Sequence, residues 1–294
     1  MIYPENFERK IGFNEIRTLL KGRCLSSLGT EWVDKELHFM HDFEQIKQAL
    51  DEAREYKIFE EQTDEEVETE FFDVREALLR ARPERTFLEE LDLFNLKRSI
   101  ASVLSYAKLF TQKVDDEDLS TTDADTENNR GQIKYLYPAL GKMACDVAVF
   151  PDIIQRIDNI LNKYGKVKDT ASPELLSLRH QIEITTRGIS HSLRSIINEA
   201  QTSGYIDRDV TPTLRDGRLV IPVAPALKRK IKGIVHDESA TGKTVFIEPS
   251  AVVDANNKIR TLRAAERREV IRILQEITLS LIHISEPTRR YAIS

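Results

Sequence analysis

Three stretches of the chain carry residue types that do chemistry, and their spacing decides what each can do. Thr241-Gly242-Lys243-Thr244 has the ending of a phosphate-binding loop, whose backbone N–H groups and lysine cradle a nucleotide. Such a loop needs a glycine five residues before the Gly-Lys pair and opens a helix. Here that position is Asp237, and Thr244 to Ile247 reads as a strand. Nucleotide binding is not expected, and Gly242 is read as a turn residue. His236, Asp237 and Ser239 are the residue types of a hydrolytic triad. Three groups within one turn cannot converge from separate elements as nucleophile, base and orienter do. Asp237 and Ser239 are expected to hydrogen-bond the turn backbone instead. The third stretch is cationic: Lys228, Arg229, Lys230 and Lys232, joined by Arg215, Arg218 and Lys243. Each Lys or Arg that neutralises a phosphate releases condensed counterions, so these seven predict a sequence-independent, salt-dependent hold on nucleic acid. Phe246 is the one aromatic residue interleaved with them, which favours backbone or shape contact over base stacking.

Other charged groups read as structure. Arg260, Arg263, Arg267, Arg268 and Arg272 alternate with Glu266, Glu269 and Glu276, a pattern of i,i+4 partners on a solvated helix face. The acidic loop Asp115 to Asn129 lacks the glycine and the twelfth-position glutamate of a calcium-binding loop. Cys24 and Cys145 have no Cys/His spacing for zinc and read as small buried hydrophobes in a reducing compartment. No catalytic, metal-binding or cofactor-binding residue is expected in the chain. The net charge of -6 would argue against a polyanion, but the charge is segregated. From Ala171 onward there are 19 Lys+Arg against 14 Asp+Glu, and before it 24 against 35. A polyanion is therefore expected at the C-terminal part. No apolar run approaches the ~18 residues of a membrane span, and the N-terminus has no signal-peptide core, so a cytoplasmic location without membrane contact is expected.

The elements that must position the cations are long helices and a small β element. Leu219 to Val223, Ile231 to His236 and Thr244 to Ile247 read as short strands. Before them Leu175, Leu178, Ile182, Ile189, Leu193, Ile196 and Ala200 step at helical spacing behind Pro173, and after them Val252, Ala255, Ile259, Leu262, Val270, Ile273, Ile277 and Leu281 do the same. The two stripes have close to a 3.5 period and can pair as antiparallel helices. Roughly thirty helical residues would carry a β tip about 45 Å. The expected class is mainly α: a helical core over 1–172, lever helices over 173–282 and a clamp-like β tip at 211–249. Upstream, helices are expected over Asn6 to Arg23 with Phe7, Ile11, Ile16, Leu19 and Leu20 inward, from Asp42 with a stripe of Ile46, Leu50, Ala53, Tyr56 and Ile58, over Asp73 to Arg80, Thr86 to Phe110, Ile133 to Cys145 and Pro151 to Tyr164, the last capped by Gly165. Glu60 to Glu70 reads as a solvated acidic run.

The same stretch resembles a known family. Gly217-Arg218-Leu219-Val220-Ile221-Pro222-Val223, Ile231 to Pro249 (IKGIVHDESATGKTVFIEP) and Asn256-Asn257, with Asp73-Val74-Arg75 and Asp169 to Leu175 upstream, resemble the bacterial MutS-two family, relatives of the mismatch-repair MutS proteins, to about Thr278. The resemblance implies the MutS core, lever and clamp portion, with a nucleic-acid-binding tip. For the full-length family it implies a homodimer using ATP and Mg in an ATPase domain, an Smr endonuclease domain, suppression of homologous recombination on branched DNA, and action on stalled ribosomes and their RNA. This chain is expected to be truncated before the ATPase, with residues 283–294 as a sequence-assembly artefact. The rival reading is a helical protein-interaction scaffold that binds no nucleic acid.

Overall fold

Amphipathic stretches of the acidic half fold as α1 (Phe7–Lys10), α2 (Phe13–Lys21), α3 (Ser27–Lys35), α4 (Phe43–Gln62), α5 (Arg75–Arg80), α6 (Glu90–Phe110), α7 (Pro138–Cys145) and α8 (Pro151–Ile160). The computed structural model describes residues 7–62, 67, 69–83, 85–113, 135–148, 150–204, 206, 207 and 209–285. They divide into two units, Met1–Lys166 with Thr278–Ser294, and Val167–Ile277. The loop Asp115 to Asn129, part of the acidic run Glu60 to Glu70, and the tail beyond Ser285 lie outside the described residues.

In the first unit Asp42 caps α4, its Oδ1 accepting from Gln45 N at 3.0 Å. The stripe expected on α4 is rotated: Leu50, Tyr56 and Ile58 are exposed and Phe59 is buried. Glu55 causes this, because its Oε2 accepts from Ala139 N and Leu140 N at 2.9 Å on the first turn of α7. Its i,i+4 neighbour Phe59 turns inward with it, onto Tyr137 and Leu140. The Phe59 ring meets Phe110 edge-on at 5.3 Å and Tyr137 at 5.9 Å. The helix expected over Asn6 to Arg23 breaks at Gly12, where φ is 77°. Ile11, Ile16, Leu19 and Leu20 stay on the surface, because the inward side of α2 carries Arg17, which bridges Glu8 at 2.6 Å and the Leu37 carbonyl at 2.8 Å. Cys145 is exposed at the end of α7, its Sγ 3.0 Å from the Tyr135 hydroxyl, and Cys24 is half-buried; neither is the core residue expected. The last helix ends at Ile160, and Gly165 lies in a turn that Asn162 closes by accepting from Tyr164 N and Lys166 N.

The second unit holds a four-stranded antiparallel sheet between two long helices, giving a mainly α chain with one small β element. Helix α9 (Pro173–Thr202) begins at Ser172, whose Oγ accepts from Leu175 N at 3.0 Å, with Pro173 where no amide hydrogen is required. Strands β1 (Thr213–Arg215), β2 (Arg218–Val223), β3 (Gly233–Glu238) and β4 (Val245–Pro249) follow in the spatial order β1-β2-β4-β3, and α10 (Val253–Ser285) leaves the sheet. β1 was not expected. The Asp216-Gly217 turn makes it, with φ of 48° and 76° at the two central residues, the geometry that a two-residue hairpin demands. Ile221, Val223, Val245 and Ile247 alternate onto one side of the sheet and bury against Ile189, Leu193, Ile197 and Ala200 of α9 and Ile259 of α10. Farther along, Ser172 donates to Glu269 at 2.6 Å and Arg179 to Glu266 at 2.8 Å. Rising numbers on α9 thus meet falling numbers on α10, so the helices run antiparallel.

Candidate nucleic-acid interface

Alternation along β4 sends Phe246 and Glu248 to the opposite side from Val245 and Ile247. Glu248 is wholly buried and is the hub of a polar cluster. Arg218 Nη1 on β2 donates to both its oxygens at 3.0 Å, Asn256 Nδ2 on α10 donates to Oε1 at 2.7 Å, and His236 Nε2 on β3 lies 2.5 Å from Oε2. A bulge between Val235 and Asp237 aims His236 there. Burial alone would raise the Glu248 pKa, but hydrogen bonds from His236, Asn256 and Arg218 outweigh it and hold the carboxyl below its ordinary value. Asn256 also brackets β2, donating to the Leu219 carbonyl and accepting from its N–H, both at 3.2 Å. The cluster ties three strands to α10. The registry of the strands was needed to find it; the available signals were an acid inside an apolar strand and the Asn256-Asn257 pair.

The hydrolytic types do not converge. His236 turns to Glu248, Asp237 Oδ1 accepts from Glu238 N at 2.8 Å, and Ser239 Oγ accepts from Thr244 N at 3.0 Å. Thr241 to Thr244 lies in the β3–β4 turn and leads into a strand, as the spacing predicts. Among the described residues no three His, Cys, Asp or Glu side chains are grouped to hold a metal ion, and no helix is long and apolar enough to cross a membrane.

The seven cations are divided by the sheet. Strand registry puts Arg215, Arg218 and Lys232 at the end where α10 begins, and Lys243 at the other end. Lys228, Arg229 and Lys230 lie exposed on the segment that runs between the two ends. The Lys232 carbonyl accepts from Ser250 N at 3.0 Å, which fixes that segment to the start of α10. Arg215 lies over Phe246, its Cζ 4.2 Å from the ring centroid, and Phe246 is buried beneath it, so that ring is not offered to a base. Arg218 is half-buried and held by Glu248. On α10, among the described residues, the expected pairing holds for Arg272 alone, which takes Glu269 and Glu276. Glu269 is buried, and donation from Arg272 and then Ser172 lowers its pKa to about 2. Glu266 reaches across to α9 instead.

No protein-family model matches the chain. Curated relatives named Endonuclease MutS2 do match it: that of Alkaliphilus oremlandii at 31% identity over 95% of this chain, that of Ruminiclostridium cellulolyticum at 34% over 93%, and that of a Geobacillus species at 32% over 90%. The matches cover 32%, 32% and 31% of those relatives, so the chain spans about a third of their length. Over nine-tenths or more of its residues, this chain is similar to about a third of the length of MutS2 proteins.

Proposed function

We propose that the second unit is the nucleic-acid-facing part of a MutS2 protein, with α9 and α10 as a lever over 173–282, the sheet as its clamp-like tip at 211–249, and residues 1–172 as a helical core. The observation that carries this reading is the exposed run Lys228, Arg229, Lys230 and Lys232, anchored between β2 and β3 rather than left on a free loop. Helices of 30 and 33 residues support the lever, since 30 residues extend about 45 Å. Phosphate contact needs no base stacking, which agrees with a buried Phe246. For the whole-length protein the reading carries the family's expected properties: a homodimer driven by ATP and Mg, acting on branched DNA or on ribosomal RNA, with the nuclease activity that the relatives' name states. The residues of this chain are assigned to binding alone.

Salt titration of duplex binding by fluorescence anisotropy tests it. Affinity should fall with salt, and Lys228→Glu/Arg229→Glu/Lys230→Glu should reduce the slope of log K on log salt by about 3, at ~0.9 per phosphate lost. Absent or salt-insensitive binding by the folded chain would favour the interaction scaffold.

A further inference from the structure

The acids that sequence spacing pairs with the arginines of α10 are taken up by two residues: Glu269 and Glu276 by Arg272, with Ser172 also donating to Glu269, and Glu266 by Arg179 of α9. Arg260, Arg263, Arg267 and Arg268 are exposed, and among the described residues their guanidinium groups have no ion pair or hydrogen bond. At 3.6 residues per turn, Arg260, Arg263 and Arg267 fall within about 60° of one another, roughly a quarter turn from the Ile259, Glu266 and Ile273 face. Like charges in such a row oppose the helix, and no described residue of the second unit forms an ion pair with them. The row also has a defined end. The Arg263 guanidinium lies at the β1–β2 turn, with Nη1 3.8 Å from where a Cβ on Gly217 would stand. Two residues away is Arg215, fixed over Phe246.

We propose that Arg260, Arg263 and Arg267 form a second phosphate track, continuous with Arg215, which takes the sugar-phosphate backbone of a nucleic-acid duplex along α10. Arg260 and Arg267 are about 10.5 Å apart along the helix axis, which matches about three phosphates of one duplex strand counted as rise along the duplex axis, ~3.4 Å each. Among the described residues of the second unit the aromatic ring is Phe246, which is buried, so the contact proposed is with phosphate and not with unstacked bases. The track rests on the reading of the tip as a nucleic-acid contact and extends it from the sheet onto the helix.

The experiment measures the salt dependence of full-chain binding to labelled duplexes of about two helical turns, one of DNA and one of RNA with the same sequence. R260Q/R263Q/R267Q should reduce the slope of log K on log salt by about 2 to 3, with unchanged helicity by circular dichroism. R260K/R263K/R267K, which keeps the charges, should retain the wild-type slope. A reduction on both duplexes, or on one alone, supports the track and in the second case identifies its nucleic acid. An unchanged slope in the Gln variant overturns it, as does an equal loss in the Lys variant. If K228Q/R229Q/K230Q still lowers the slope in that case, the tip reading survives without the track. A wild-type chain that binds neither duplex overturns both.

Discussion

Glu248 shows how a buried acid can organise a cationic surface without facing it. Its three neighbours come from β2, β3 and α10, and the pair with Arg218 removes one of the seven sequence-predicted cations from the exposed set. Deleting one member of a buried pair leaves the other charged and uncompensated, at a cost of about 3–5 kcal/mol. Glu248→Ala should therefore lower the midpoint of urea unfolding by about that much stability, with Arg218 newly exposed. Acid acts on the same residues. The folded pKa values of Glu248 and Glu269 lie below the ordinary value of 4.5, that of Glu269 at about 2. A depressed carboxyl stabilises the fold fully above the unfolded pKa and loses that contribution as pH falls through the folded one. The melting temperature should fall between pH 4.5 and about 2, and Glu269→Gln should flatten part of that limb by removing one of the titrations that make it. An equally steep limb in Glu269→Gln would remove Glu269 from the account.

At the scale of elements, close approach of backbones sets the sheet. A Cβ built on Gly233 would fall on the Glu248 carbonyl and crowd Ile247 Cγ2 at 2.9 Å, so β3 can lie this close to β4 only with glycine there. Gly233→Ala should cost about 1–3 kcal/mol as an overpacked contact, read from urea unfolding. It should leave the salt slope at a given folded fraction unchanged, because no cation is touched. Much of this level was legible in the sequence. Pro173 and the two apolar stripes mark α9 and α10, and β-branched runs mark β2, β3 and β4. β1 was legible too, since Asp216-Gly217 is a strong hairpin signal, but a three-residue strand carries too little apolar alternation to be seen alone. The stripe of α4 was not legible: a polar contact, Glu55 on the amides of α7, decides which face is buried, and hydrophobic periodicity does not register it. The arginines of α10 were misread for the same reason. Spacing within a helix shows which acids can pair locally, whereas Glu266 has a better partner on another helix.

Across the whole molecule, charge follows the division into units. The second unit, Val167–Ile277, carries 18 Lys+Arg against 14 Asp+Glu, while the first carries 25 against 35. The opposing signs matter because exposed charges interact over a Debye length of about 10 Å at 0.1 M salt: a polyanion is attracted by the second unit and repelled by the surface of the first. Hydrogen exchange with and without a duplex reads this directly. Protection should appear in the segments bearing the exposed cations, 213–232, 241–245 and 258–268, and be absent from α1 to α8, whatever the sequence of the duplex. Raising salt should erase the protection without changing exchange in the protein alone, since the apolar contacts of Ile221, Val245 and Ile247 with α9 are not screened. Protection centred on the first unit, or protection that survives high salt, would mean that apolar contact and not phosphate neutralisation governs binding, and the assignment of the cationic unit to nucleic acid would fail.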